Sequence, residues 1–561
     1  MAKKFLKLLK FKNRKQKYLL LLILLLAGGL RLWQLGQVPP SPDWDEATLG
    51  YNAYSIMKTG QDEYGQFLPL ILRSFDDYKP GLYAYLAIPT IKLFGLNTFA
   101  VRLPAALLGT LVVFLVYLLV KELFNQKPFS HSLALLTAFL LAISPWHLQF
   151  SRIAFESGIG LFFNLVIAWF FLKGLKKPWF LILAAFFAGL NLYVYQAEKV
   201  FTPLLVFTLA IIWHKKLLKL PWKYLFFALL VGIMTLIPFI SLTLTTPEIF
   251  LRAKGTSFAA DLTPFLAKTA ERTLRDYQNH DYLGLILDNR RITYFQTFLR
   301  NYLSHFDLNW LFLTGDDARH HAPEMGLLYL WELPFLLWGI YSLIFAKISR
   351  KAKLLIFTWF LIAPIPAAFS SGAPHGVRTL RFLPTHQIFV AFGLLNFWQA
   401  IKSKKPLFKF ALLSPVIILA LFNFAYYLNQ YFVQQNYDYS QYWQYGYREA
   451  IREINGIEDH YQKIVVSNEP HLDQSYIFFL YYLKYDPEAY QKSGGTVSGG
   501  FAETHRGFDR YTFRPIKWEE EEKNPEILYV GRPEDFFGEV KLIKTIYFLD
   551  GEEAIKLVEG E

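Results

Sequence analysis

The sequence predicts a polytopic all-α transmembrane bundle of about eleven helices, followed by a small C-terminal extracytoplasmic α/β domain. Three observations carry that prediction. The 561-residue chain is 53% hydrophobic and 18% aromatic with a positive mean hydropathy, where a soluble chain of this length divides into several more charged domains. Its apolar residues come in blocks of roughly twenty, the length that crosses a bilayer as a helix. Its basic residues sit in short clusters between those blocks, so the net charge of +13 reads as membrane topology and not as a nucleic-acid surface. Cysteine is absent, which excludes disulfides, thiol catalysis and cysteine metal sites.

Residues 1–17, MAKKFLKLLKFKNRKQK, read as a cytoplasmic interfacial segment leading into an uncleaved first helix, because no small-x-small cleavage site follows the apolar run. The spans then run roughly 18–35, 98–120, 131–147, 157–173, 178–195, 200–213, 223–245, 326–346, 354–371, 384–400 and 407–428. The stretch 81–95 is too short to span and reads as a juxtamembrane or re-entrant helix. With the N-terminus inside, every short basic cluster falls on the cytoplasmic side: Lys121 and Lys127, Lys173 to Lys177, Lys215 to Lys223, Lys347 to Lys353, and Lys402 to Lys405. An odd number of spans puts the C-terminus outside. The membrane domain is therefore 18–428, with long outer loops at 36–97 and 246–325, and residues 429–561 form the soluble domain. There Arg448 to Ile457 and Ser475 to Tyr485 read as helices and Lys463 to Ser467 as a buried strand. Thr545 to Val558 reads as a hairpin turning at Asp550-Gly551, and SGGTVSGG at 493–500 as a flexible loop.

The chemistry concentrates in the outer loops. Asp43, Asp45 and Glu46 follow the first helix at the membrane surface, where a carboxylate can take or orient a hydroxyl proton. Asp43 is assigned as the N-cap of a helix starting near Trp44, with Glu46 three residues on as its capping-box partner or a further catalytic acid; Asp45 is assigned to chemistry. Lys79 in YKPG precedes a proline that keeps it out of a helix, and an interfacial cation there suits a lipid-linked phosphate. Arg152 and Glu156 stand four apart at the mouth of the next helices, so they either pair across one turn or present a second carboxylate and a phosphate ligand. Tyr193 and Tyr195 either stack on a sugar or anchor a helix at the interface. His375, Arg378 and Arg381 lie in an outer loop against the positive-inside trend, which a bound phosphate explains. At the end of the large loop, FLTGDDARHHAPEMG places Arg319 and His320 among sugar or acceptor contacts. Asp316 and His320 have i,i+4 spacing, but His320 and His321 point apart, so no metal site is assigned. No P-loop, G-x-S-x-G or H-E-x-x-H occurs.

These residues together resemble the membrane glycosyltransferases of the GT-C superfamily, in the branch of protein O-mannosyltransferases and lipid A aminoarabinose transferases. The resemblance covers about 18–428 and is carried by the acids Asp45 and Glu46, then YKPGLYAYL, then LFGLNTFAVRLPAALLG. The family pattern has an acid, Lys-Pro-Pro and Arg-Leu-Pro in that order; here Gly81 replaces the second proline. The resemblance implies a polyprenyl-phosphate sugar donor, with Asp45 as the catalytic acidic residue and Lys79 as the lysine meeting the lipid phosphate. Trp443-Gln444-Tyr445-Gly446 lacks the acid of the Trp-Trp-Asp-Tyr-Gly motif of oligosaccharyltransferases, and the chain is not read as one.

The expectation is a glycosyltransferase on the outer side of a bacterial cytoplasmic membrane. It moves a monosaccharide, with inversion, from a polyprenyl phosphate to a glycan, lipid or protein acceptor, and no nucleic acid is a partner. Asp45, Glu46 and Glu156 are its catalytic candidates. Lys79, Arg378, Arg381, Arg152 and His375 are candidates for the donor phosphate, and Tyr193, Tyr195, Arg319 and His320 for sugar or acceptor. No cofactor is required, although the acids at 43 and 45 leave room for a divalent cation, magnesium or manganese. A flippase of lipid-linked glycans would carry ionisable residues at the bilayer midplane and broken helices in repeated halves. A non-catalytic glycan-binding scaffold is the remaining alternative.

Overall fold

The structure, a computed structural model, describes residues 14–75, 77–246, 255–258, 260, 263–497 and 505–561. Most of the basic segment expected at 1–17 therefore lies outside the described residues. Each of the eleven expected spans falls on a helix: Arg14–Leu32, Thr98–Leu123, Ser130–Ile143, Ser157–Gly174, Phe180–Asn191, Glu198–Leu217, Trp222–Thr245, Glu332–Phe345, Arg350–Ile362, Thr385–Ile401 and Pro406–Asn429. Among the described residues, six stretches are long and apolar enough to cross a membrane by length and composition: four of these helices, 98–123, 157–174, 198–217 and 222–245, and the longer helical stretches Arg350–Ala368 and Pro406–Asp438. Helices such as Ser130–Ile143 and Phe180–Asn191 are apolar but shorter. The chain is thus a helix-rich, multi-pass membrane protein. Trp222–Thr245 buries no residue and displays Phe226, Leu229, Met234 and Ile237, the surface a helix offers to lipid and not to water.

The expected outer loops gather at one end of the bundle and the lysine clusters at the other. At the lysine-rich end Lys173 and Lys176 pair with Glu122, and Lys127 donates to the Lys347 carbonyl at 2.7 Å. At the opposite end the first loop folds into the helix Trp44–Thr59, a hairpin of β1 (Ile71–Ser74) and β2 (Asp77–Pro80), and the short helix Leu82–Phe94. The latter matches the juxtamembrane helix expected at 81–95. The large loop carries the amphipathic helices Thr263–Gln278 and Arg290–Ser304, with the short apolar helix Tyr282–Leu287 between them.

The C-terminal region forms a six-stranded mixed sheet from β3 (Lys463–Val466), β4 (His505–Phe508), β5 (Tyr511–Phe513), β6 (Ile527–Gly531), β7 (Lys541–Tyr547) and β8 (Glu553–Glu559), in the order β4-β5-β3-β6-β8-β7. β3 runs parallel to β5 and β6, and the other pairings are antiparallel. Alternate residues of one strand face opposite cores. Ile464, Val466, Leu528 and Val530 pack with the helices Tyr447–Ile454 and Ser475–Leu483 and with the helix Trp44–Thr59, while Val465, Ile527 and Tyr529 pack with Trp518 and Phe536. The expected strand, helices and β7–β8 hairpin are present, and β4 to β6 were not foreseen. The segment expected to be a flexible loop at 493–500 differs in its described part. Thr496 is fastened to Glu63 of the first outer loop by its amide at 3.0 Å and its hydroxyl at 2.8 Å, which holds the two regions together.

Candidate active site

The chain segment after the first helix is fixed by a buried arginine. Arg102 lies in the first turns of Thr98–Leu123 and is fully buried. It donates to the carbonyls of Leu35, Pro39 and Ser41 at 2.7 to 3.2 Å, and its Nε and Nη2 meet Glu46 at 2.9 and 2.7 Å. Glu46 also accepts the Ala154 amide at 2.7 Å and is itself fully buried. A guanidinium near hydrocarbon is costly unless its donors are met, and here they are met by the loop it shapes. Glu46, expected among the catalytic acids, therefore sits where it positions the loop and not where a substrate reaches it.

Asp43 caps the helix Trp44–Thr59, as expected, accepting the Glu46 amide at 2.9 Å. Its other oxygen meets Arg319 at 2.8 Å, and the Arg319 guanidinium lies 4.7 Å over the Trp44 ring. Burial pushes the Asp43 carboxyl well above the usual range; Arg319 pulls it down, and the neighbouring charges of Asp45 and Glu46 push it up again. Arg319 so joins the end of the large loop to the first, and Gln149 donates to its carbonyl at 2.7 Å.

Asp45, one position before Glu46, points differently. Its side chain keeps 32% of its exposure and pairs with Lys79 on β2. The β1–β2 register opposes Lys79 to Leu72 and delivers the ammonium to Asp45, with Phe75 5.7 Å below it. A hairpin invisible in the hydropathy thus brings Lys79 to Asp45. Gly81, in place of the second proline of the family pattern, donates its amide to the Leu70 carbonyl at 3.0 Å. A Cβ there would stand 3.1 Å from the Leu70 and Pro69 oxygens, so the hairpin closes on a residue without a side chain.

The expected phosphate-binding residues divide. Arg381 is buried and held by Glu198, with Nη2 at 2.9 Å, in a network that includes Asn164, Asn191 and Thr202. Its Nη1 donates to the Arg378 carbonyl, which sets the backbone of Arg378. Arg378 is partly exposed and donates to the Ser371 carbonyl at 2.8 Å. Arg152 is fully buried and donates to Leu30, Arg31 and Val38 carbonyls and to the Tyr431 hydroxyl. Residues 151–156 are not helical, so the i,i+4 geometry expected for Arg152 and Glu156 does not arise; Glu156 instead starts the helix Ser157–Gly174, half-buried. Tyr193 donates to the Thr235 carbonyl at 2.8 Å and edges Phe239, the anchoring alternative. Tyr195 lies 5.7 Å beneath Arg381. His320 Nδ1 donates to the Asp316 carboxylate at 2.9 Å, and His375 stacks on His320 at 4.9 Å. His321 turns away to the Ala322 and Met325 carbonyls.

Two residues central to this arrangement, Arg102 and Glu198, were not singled out for the site. Their signal was present: a charge inside or beside an apolar helix, which calls for a partner.

Residues 78–241 match the family model described as dolichyl-phosphate-mannose-protein mannosyltransferase. A Bacillus subtilis (strain 168) protein with a provisional mannosyltransferase name, YkcB, is 28% identical over 210 residues, 35% of this chain and 27% of that protein. The match thus spans about a quarter of that relative. ArnT from Cupriavidus metallidurans, solved with undecaprenyl phosphate, shares the fold with a TM-score of 0.55 over 97% of this chain and 98% of that one, at 11% identity. Its apo structure gives 0.54 over 100% and 99%, also at 11% identity. In sequence over residues 78–241 and in fold over its whole length, the chain bears out the resemblance to the membrane glycosyltransferases of the GT-C superfamily.

Proposed function

We propose that the protein transfers a monosaccharide from a polyprenyl-phosphate carrier to an acceptor hydroxyl or amine at the outer face of the cytoplasmic membrane. One observation carries the reading: Asp45 is the partly exposed member of the cluster Asp43, Asp45 and Glu46, whose two other acids are buried in ion pairs, and its partner is the lysine that precedes Pro80. In the mechanism we infer, the donor phosphate draws Lys79 from Asp45, so donor binding exposes the base. Asp45 takes the acceptor proton as the acceptor attacks the anomeric carbon. The bond from that carbon to the phosphate oxygen breaks, and the carrier leaves as polyprenyl phosphate with the electron pair. Lys79 and Arg378 stabilise the charge that develops on it, and one displacement inverts the configuration. Arg381, Arg152 and Glu46 act as positioning residues, through Arg378 and through the loop after the first helix. Glu156 remains the second carboxylate of this reading.

An apolar cavity of about 440 Å³ between the helices 157–174, 180–191, 198–217 and 222–245 supports a lipid-linked donor. Thr202 lines it and also hydrogen-bonds Glu198, so the space that suits an isoprenoid chain adjoins the network that sets Arg378. The sidedness follows the lysine clusters, with the acids and the C-terminal domain outside.

The test is Asp45→Asn in membranes supplied with radiolabelled polyprenyl-phosphate sugar. Loss of a positioned base costs about 10² to 10⁴ in rate. Turnover equal to that of the unaltered protein, at equal expression, removes Asp45 from the role; lipid translocation without glycosidic transfer in proteoliposomes favours a flippase.

A further inference from the structure

Three side chains from two loops converge beside the paired Asp43 and Arg319. Asp316 and His320 come from the end of the large outer loop, and His375 from the loop before the helix Thr385–Ile401. One ligand atom of each lies within 4.8 Å of the other two. His320 Nδ1 stands 2.9 Å from Asp316 Oδ2, and His375 Nδ1 stands 3.9 Å from the same oxygen. The two imidazoles stack with centroids 4.9 Å apart and planes 29° from parallel.

His375 supplies the observation that an Asp–His hydrogen bond alone leaves unexplained. Its Nδ1 is buried and makes no hydrogen bond, a costly state for a ring nitrogen. Its backbone is held meanwhile: the His375 amide donates to His305 Nε2 at 3.2 Å, and His305 Nδ1 is fixed on the Asn301 carbonyl at 2.6 Å. The Gly376 amide donates to Asp316 Oδ2 at 2.5 Å. Such hydrogen bonds behind the ligands orient a metal site.

We propose that Asp316, His320 and His375 bind one divalent transition ion of the zinc class. Two imidazole nitrogens and one carboxylate are the donor set of a four-coordinate site with one open position, whereas magnesium and calcium sites are built from oxygens. Bonds of about 2 Å in tetrahedral geometry place donor atoms roughly 3.3 Å apart, which the side chains reach by small rotations. The ion staples the 315–321 segment to the 372–381 segment, and so fixes Arg319 on Asp43 and Arg378 at the mouth. The divergence of His320 and His321 argued against a metal in the sequence; the third ligand comes from 55 residues farther on, where local spacing does not reach.

The inference stands apart from glycosyl transfer, and its test reads no activity. The full-length protein in detergent, stripped with chelator, reloaded with zinc and desalted, is analysed by mass spectrometry for metal. The expected result is about one zinc per chain in the unaltered protein and in His321→Ala, and less than a tenth of that in His375→Ala and Asp316→Asn. Should His375→Ala elute as aggregate, cobalt titration of the unaltered protein decides, with visible absorption bands that zinc abolishes. Equal zinc in all variants, or neither retained zinc nor cobalt bands in the unaltered protein, overturns the proposal.

Discussion

Asp45 and Glu46 are neighbours in sequence, yet the same neutral substitution is expected to act on them in opposite ways. Glu46 is fully buried with Arg102, so Glu46→Gln leaves a guanidinium stranded away from water. Removing one partner of such a pair costs about 3 to 5 kcal/mol. Asp45 keeps a third of its exposure, and a pair of that kind contributes about 1 kcal/mol or less. Thermal unfolding in detergent should therefore show a large loss of Tm for Glu46→Gln and almost none for Asp45→Asn, while transfer assays show the reverse order of specific activity. The double variant Glu46→Gln with Arg102→Met should recover part of the lost stability, because both charges are gone. A stable Glu46→Gln protein with abolished transfer would return Glu46 to the catalytic group. The sequence drew attention to this stretch but not to which of its acids is buried and which exposed. Arg102 is 56 residues from Glu46 and Glu198 is 183 from Arg381, and periodicity reports only neighbours within a turn or two.

The helices Glu332–Phe345 and Thr385–Ile401 meet along a seam of glycine. A Cβ on Gly339 would collide with the Phe389 carbonyl, and one on Gly393 with the Phe335 carbonyl. Both obstacles are backbone, which cannot swing aside, and close approach through small residues is how helices pack where lipid is the solvent. Gly339→Val is expected to force the pair apart, lowering expression and Tm, whereas Leu336→Val, at a buried neighbour, should cost only about 1 kcal/mol. Equal Tm for the two variants would mean the seam yields. Elements of this kind were legible in part. Hydropathy and lysine clusters placed a helix at each of the eleven expected spans but not the helices Thr263–Gln278 and Arg290–Ser304 of the large loop, and Asp43 marked the start of the helix Trp44–Thr59 through its capping chemistry. The β1–β2 hairpin escaped because strands of four residues are too short for a period, and the parallel pairing of β3 with β5 and β6 escaped because it joins segments far apart.

Across the whole molecule, the C-terminal domain rests on the first outer loop, and the contact is built around a carboxyl group. Glu63 is fully buried; Asn52 donates to it at 2.9 Å and Thr496 at 2.8 Å, while Gln491 reaches the Gln61 and Asp62 carbonyls and the Ser55 and Thr59 hydroxyls. The groups facing it are Asp62 from its own segment and the tyrosines Tyr51, Tyr476 and Tyr490, with no cation among them. Burial therefore raises the Glu63 carboxyl from 4.5 to about 7, helped by Asp62 and opposed by the hydrogen bonds from Asn52 and Thr496. Between those two values the folded protein keeps a proton that the unfolded chain has released. Stability from this group is fully present below pH 4.5 and falls as the pH rises toward 7, by about 3 kcal/mol in all. If the loss is felt where Glu63 acts, the clamp loosens first. Amides of residues 487–497 should exchange hydrogen more slowly at pH 6 than at pH 8 after correction for chemical exchange, with the membrane helices unchanged. Glu63→Gln, neutral at every pH, should erase the difference while keeping the Asn52 and Thr496 contacts. The same pH dependence in that variant would assign the effect to another group, and slower exchange at pH 8 would reverse the sign of the argument. Because the helix held by this clamp begins at Asp43 and carries Asp45, a looser clamp should also show as a fall in transfer above neutral pH that Glu63→Gln removes.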